Sequence, residues 1–101
     1  MYNVIVGEDA MTDRAEVVDW YEHICPNLGL DFYEEVLTKL ETIVTKFPKI
    51  APTVYKNARK MALNRFPYNL VYTIDDEKKE VKILAIVHDK RNPSVWQDRV
   101  V

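Results

Sequence analysis

A proline between two strand-like runs limits what this chain can fold into. Pro67 has no amide proton to give to a β-ladder, so it belongs at a turn or an edge. The residues before it, ARKMALN at 58–64, and after it, YNLVYTI at 68–74, both read as strands. Arg65-Phe66-Pro67 is therefore predicted to fold one strand back onto the other. In the second strand, Tyr68, Leu70, Tyr72 and Ile74 fall on one face by alternation. In the first, Arg59, Met61 and Leu63 alternate with Lys60, Ala62 and Asn64, which gives a mixed face.

The rest of the chain supplies cover for such a hairpin. Tyr2 to Val6 is a β-branched run closed by Gly7 and reads as a first strand. Glu8 or Asp9 is placed to cap a helix in which Ala10, Ala15, Val17, Val18, Trp20, Tyr21 and Ile24 recur near helical spacing. Pro26 ends it. Asn27 is the next expected cap. Leu30, Tyr33, Val36, Leu37, Leu40, Ile43, Val44 and Phe47 then form an apolar stripe that Pro48 stops. Two striped helices joined across Cys25-Pro26-Asn27 make an α-hairpin, whose natural partner is a sheet.

Residues 49–57 contain Pro52, show no sustained periodicity and read as a loop. Asp75 to Lys79 is a charged turn. Val81 to Val87 is apolar except for Lys82, as in a strand covered on much of both faces. Pro93 starts a short helical turn that lays Trp96 against the body. The expected fold class is α+β, in the order β-α-α-β-β-β. A helical hairpin packs on a mixed sheet that ends in an antiparallel meander.

Composition bears on class and setting. A chain of 101 residues is expected to form one domain over 1–101. Hydrophobic residues at 48% and charged residues at 30% describe a globular chain and exclude a disordered one. The net charge of −2 hides an asymmetry, with ten acids against four bases in residues 1–50 and six against ten in 51–101. Between Glu41 and Asp75 there is no acid, while Lys46, Lys49, Lys56, Arg59, Lys60 and Arg65 all fall there, so one face is expected to be positive. The single cysteine, Cys25, has no internal disulfide partner and is expected at the core or its boundary. The first residues lack a basic region and a long apolar run, and no segment approaches spanning length. A cytoplasmic protein without membrane contact is the expectation.

No catalytic motif stands out. The acidic clusters Glu34-Glu35 and Asp75-Asp76-Glu77 lack metal-ligand spacing, and there is no phosphate-cradling glycine loop. No metal and no cofactor is expected. His88 has the right proton affinity for acid–base work and lies beside Lys90 and Arg91, although a histidine at a strand end also serves structure. Arg59 and Arg65 could bind phosphate or an acidic segment, or Arg59 could pair with Asp13 or Glu16 of the first helix. Arg91 and Arg99 flank Trp96 and could pin the tail or meet a target.

The chain as a whole resembles a known family. The residues that carry the likeness are Leu28-Gly29 and Phe32, Arg65-Phe66-Pro67-Tyr68, Val71-Tyr72, His88, Arg91-Asn92-Pro93, Trp96 and Arg99. In order and spacing they resemble the RelE/ParE superfamily, the toxins of type II toxin–antitoxin or plasmid stabilisation systems. The resemblance implies a partner, a cognate antitoxin that wraps the active surface. It also implies one of two targets. RelE-type members cleave mRNA on the ribosome, and ParE-type members poison DNA gyrase.

Metal-free RNA cleavage needs an activated 2′-hydroxyl, a proton for the leaving oxygen and cations around the phosphorane. By the resemblance, Lys60 stands at one basic position, the next on that face is Ala62, and Asn69 replaces an arginine. The late basic position falls at Lys90 or Arg91. The late aromatic is Trp96, whose indole is no general acid. The nuclease candidates that remain are Lys60, Arg65, His88 and Arg91. The residues expected to meet an antitoxin or target are Arg59, Lys60, Arg65, Lys90, Arg91, Trp96 and Arg99. The altered set and the net acidity point to a ParE-like or non-nucleolytic member, with no direct DNA binding. A ribosome-dependent endoribonuclease and a non-toxic binding module on the same fold are the alternatives.

Overall fold

The computed structural model describes residues 1–101, the side chain of residue 43 excepted, so the place of Ile43 in the expected stripe lies outside the described residues. The elements are β1 (Asn3–Val6), α1 (Glu8–Ile24), α2 (Leu28–Lys39), β2 (Thr53–Tyr55), β3 (Ala58–Ala62), β4 (Tyr68–Asp75), β5 (Glu80–His88) and α3 (Ser94–Gln97). Among the described residues the strands form one mixed sheet in the order β1-β5-β4-β3-β2. The strand β1 runs parallel to β5, and the other neighbours are antiparallel. This is the expected helical hairpin on a mixed sheet, with one more strand. The stretch read as a loop holds a 3₁₀ turn at Pro48–Ile50 and the edge strand β2.

The helices cover one face of the sheet. Ala10 and Val17 of α1, with Phe32 and Val36 of α2, pack on Met61, Leu70, Tyr72, Val81, Ile83 and Ile86. The other face gathers Ala58, Val71, Leu84, Ala85 and Val87 under Trp96 and Val100 of the tail. The strand β5 serves both layers. Val71 pairs with Ala85 but Tyr72 with Ile83, so Leu84 is an extra residue. Ile83 and Ile86 face the helices, and Leu84 and Ala85 both face the tail. A bulge of this kind, together with cover on both faces, explains the unbroken apolar run.

Several expectations about the helices need correction. Gly7, not Glu8 or Asp9, is the N-cap of α1, and both acids lie in its first turn, where they suit the helix dipole. Ala15, Trp20 and Ile24 are exposed, and so is Cys25 at the hairpin turn, which packs in no core.

Along α2 and the turn that follows it the buried line is Gly29, Phe32, Val36, Leu40 and Val44, while Leu30, Leu37 and Phe47 face outward. Up to Lys39 this line is ordinary α-helical spacing; beyond it comes a π-helical turn at Leu40–Val44, closed by a bond from the Thr45 amide to the Leu40 carbonyl at 3.0 Å. Its wider winding rotates the residues that follow away from the phase set by 3.6 residues per turn, so Phe47 turns outward.

Gly29 sits where the two helices touch. A Cβ there would meet the Val18 carbonyl oxygen and lie 2.6 Å from Glu22 Cγ. Asn27 is the N-cap of α2 in a left-handed conformation, with φ of 73°, but its side chain does not cap. Glu22 of α1 does so instead. Its carboxylate accepts from the amides of Asn27 at 3.1 Å, Gly29 at 2.8 Å and Leu30 at 3.2 Å. These bonds hold the Glu22 carboxyl below its usual range, the Asn27 amide contributing most.

Candidate functional site

The strand β3 places its cations by alternation. Arg59 lies opposite Tyr72 and faces the helices, while Lys60 lies opposite Val71 and faces the tail. Arg59 Nη1 donates to the carbonyls of Lys49 at 3.0 Å and Ala51 at 2.6 Å. It therefore does not pair with Asp13 or Glu16. Tyr72, fully buried, donates its hydroxyl to the Pro48 carbonyl at 2.6 Å. Burial raises its pKa, and the nearby Arg59 charge works against that rise. Together the two side chains fix the 48–51 segment from beneath.

The face that carries Lys60 continues to Ala62, opposite Asn69, and on to Val87. Asn69 is only 4% exposed. Its side-chain amide donates to Asp89 Oδ1 at 2.6 Å. A carboxylate thus stands next to the position where the resemblance implies an arginine.

His88 ends β5 opposite Tyr68, on the helix side of the sheet, and so on the other face from Lys60. Its Nδ1 accepts from the Lys90 amide at 3.0 Å, and its ring meets Tyr68 edge-on at 5.1 Å. Burial raises the Tyr68 pKa, with the Arg91 charge opposing, so its phenol stays protonated at neutral pH. Arg65 sits in the β3–β4 turn against α2. Its amide bonds to Glu35 at 3.0 Å, and its guanidinium lies 3.6 Å from Asp31 and over the Phe66 ring. Lys60, Arg65 and His88 do not converge.

His88 and Arg91 do share a groove. It runs between α1 and the tail along the edge of β5 that β1 leaves open, with a volume of about 390 Å³. Glu16 and Trp20 of α1 form one wall, and Trp20 is 62% exposed there. At its far end Arg99 donates from Nη1 to Asp13 Oδ2 at 2.8 Å and to the Leu84 carbonyl at 3.0 Å. Asp13 Oδ2 also accepts from the Ile86 amide at 3.1 Å. Burial works against the Arg99 charge, but Asp13, Asp9 and Asp98 outweigh it and raise its pKa.

Trp96 is 3% exposed and packs edge-on against Tyr55 at 6.0 Å. Arg99 and Trp96 thus bind the tail to the body, as one of the sequence readings had it for Arg99. Lys90 and Arg91 are exposed in the turn after β5, and Lys60 is half-buried.

The sequence reading missed three of these pieces. They are the groove and the Asn69–Asp89 bond, made by residues far apart in the chain, and the Glu22 cap, which reaches across the hairpin turn. The only early signal was the acid spacing of α1, which puts Asp9, Asp13 and Glu16 along one side.

A helical hairpin on a mixed sheet, closed by a short tail helix, is the architecture of RelE/ParE-type toxins. The family model for the ParE toxin of type II toxin–antitoxin system, parDE, matches residues 4–93, and the chain belongs to that family. In fold it is similar to a chain of the chromosomal ParDE toxin–antitoxin system of P. aeruginosa. The TM-score is 0.75 at 18% identity, covering 87% of this chain and 96% of that one. It is also similar to the isolated E. coli RelE toxin, with a TM-score of 0.67, 23% identity and 100% of both chains covered. A chain of the RelBE2 toxin–antitoxin complex of Mycobacterium tuberculosis gives 0.62 at 21% identity, over 86% of this chain and 96% of that one. No curated protein matches in sequence. Among the described residues no helix is long and apolar enough to cross a membrane.

Proposed function

We propose that this chain is a ParE-like toxin of the cytoplasm that inhibits DNA gyrase and does not cut RNA, and that a cognate antitoxin neutralises it. The observation that carries the reading is the Asn69–Asp89 bond. Phosphoryl transfer without a metal requires cations around the phosphorane, and a carboxylate there opposes the developing charge. The separation of Lys60 and His88 onto opposite faces supports the same reading, because a cation and a proton donor must reach one phosphate together. Membership of the ParE family supports a toxin role, and the ParDE and RelBE neighbours are toxin–antitoxin systems, which supports an antitoxin as partner. Of the candidate cations, Lys60, Lys90 and Arg91 are left for an antitoxin or target, with Arg65 exposed but paired with Asp31, since Arg59 and Arg99 are held by hydrogen bonds within the chain.

The test is induction of the intact chain in bacteria without antitoxin, paired with a supercoiling assay on purified gyrase. The expected result is filamentation, a DNA-damage response and loss of supercoiling activity, with translation spared at first. Early translation arrest with cut mRNA, relieved by Lys60→Ala or His88→Ala, would overturn it in favour of a nuclease. Normal growth of every host tested would favour a binding module.

A further inference from the structure

At the end of the sheet away from His88, the chain turns apolar side chains outward. Phe47 is 61% exposed and Ile50 is 70% exposed, on either side of the buried Pro48. Phe47 continues an apolar stripe and would face inward on an unbroken α-helix. The π-helical turn and the end of the helix aim it at solvent. With Tyr2 these residues line a shallow cleft of about 350 Å³. Exposed apolar side chains are ordinary when scattered singly, and two of them lining one cleft are less so.

Two further observations mark the cleft as built. Its backbone is held from the sheet side by three hydrogen bonds, from Tyr72 to Pro48 and from Arg59 to Lys49 and Ala51. Side chains on so fixed a backbone lose little freedom on binding. Its rim is also cationic. Lys46 has no carboxylate partner among the described residues, Lys49 borders the cleft, and Lys79 lies 5.2 Å over the Tyr2 ring. The one acid at the rim, Asp76, is occupied by the Tyr2 hydroxyl at 2.7 Å and Lys49 at 3.1 Å.

We infer that this cleft is a docking site for an acidic amphipathic segment of a partner protein. The apolar residues of the segment would cover Phe47 and Ile50, and its carboxylates would meet Lys46 and share Lys49 and Lys79 with Asp76. A single-stranded nucleic acid fits less well. The Tyr2 ring is already covered by Lys79, Phe47 is the one other ring in the lining, and no arginine lines the cleft for bidentate phosphate contact. The site is separate from the groove at His88 and does not depend on the gyrase reading.

The test uses a labelled synthetic peptide of glutamate and alanine with a leucine stripe at helical spacing, read by fluorescence anisotropy on the full chain. Oligothymidylate and the same peptide with lysine for glutamate are run beside it. The acidic peptide is expected to bind best, and Phe47→Ser with Ile50→Ser to weaken it about tenfold or more. Lys46→Glu with Lys49→Glu, at exposed positions that leave the core intact, is expected to weaken it as much and to remove its salt dependence. Equal binding of the lysine peptide, unchanged affinity in both double variants, or binding of oligothymidylate alone would each overturn the inference.

Discussion

Arg99 and Asp13, 86 residues apart, meet at 2.8 Å on the open edge of β5. Where β1 stops, the Gly7 amide makes the last strand-like bond, to the Ile83 carbonyl at 2.9 Å. Beyond it, the guanidinium takes the Leu84 carbonyl and the carboxylate takes the Ile86 amide. The two side chains thus do the work of a further strand residue. Their side chains are 19% and 17% exposed, so removing one leaves the other charge nearly buried. Arg99→Met is expected to cost about 2–4 kcal/mol in urea unfolding. A double-mutant cycle with Asp13→Asn should show coupling above about 1 kcal/mol, and simple additivity would contradict the account.

Tyr72→Phe removes the buried hydroxyl that holds the Pro48 carbonyl. The expected cost is about 1–2 kcal/mol by equilibrium unfolding. Arg59→Ala loosens the same segment, so the two changes should not add. Hydrogen exchange at the Ile50 and Lys60 amides, which bond within this region, should quicken in both variants.

Gly29→Ala sets helix propensity against packing. Propensity alone favours alanine by about 1 kcal/mol. The added Cβ, however, would strike the Val18 carbonyl, which is backbone and cannot rotate away. Packing should win, for a net loss of about 1–3 kcal/mol in denaturant melts. A gain in stability would show that the two helices separate at little cost.

Glu22 gives the helical hairpin an acid limb. Its carboxyl is held below the ordinary range by the α2 amides, so its contribution is fully present above the unfolded value, about pH 4. It is lost as pH falls through the lowered folded value. His23 acts in the opposite sense. Its bond to the Asp19 carbonyl and the Asp19 charge raise its pKa, so its contribution is present in acid and fades as pH rises through that raised value. Glu22→Gln should lower the melting midpoint by a few degrees at neutral pH. The gap to the wild type should close in acid, as thermal melts across pH would record.

Arg91 and Trp96 should separate toxicity from stability. Arg91 is exposed in the turn after β5, so Arg91→Glu is expected to leave stability within about 0.5 kcal/mol. On the proposed function it should still cut growth inhibition about tenfold, because a charge is reversed where a partner is met. Trp96→Ala should lose about 3–5 kcal/mol by emptying the layer beneath the tail. If Arg91→Glu remains fully toxic, the groove at His88 is not the working surface.

The sequence made the β3–β4 turn, the strands β4 and β5 and the α1–α2 hairpin legible, because each rests on a local pattern. Pro67 has few places to go, and Tyr68, Leu70, Tyr72 and Ile74 do share the helix-side layer. The strand β2 was hidden because three residues are too few to show a period, and Pro52 precedes them. Phe47 falls in the stripe only if a period of 3.6 runs unbroken across the π-helical turn, whereas Phe32 lies before that turn and is buried one helical step from the stripe residue Tyr33. Arg59 reads as a partner for phosphate, an acidic segment or a helix carboxylate because charge is visible in a sequence and backbone carbonyls are not. Asn69 was seen as a missing arginine, but its partner Asp89 required the register of β4 on β5.

The parallel pairing of β1 with β5 joins Asn3 to Glu80, so the strand made first waits for the strand made last. While the chain is being translated, α1 and α2 have no floor to lie on until the meander follows them out. The Asp13–Arg99 lock adds that the sheet edge is sealed only by a residue 86 positions after Asp13. A chain that stops short of Arg99 lacks that seal. Partial products of translation therefore carry an open sheet edge.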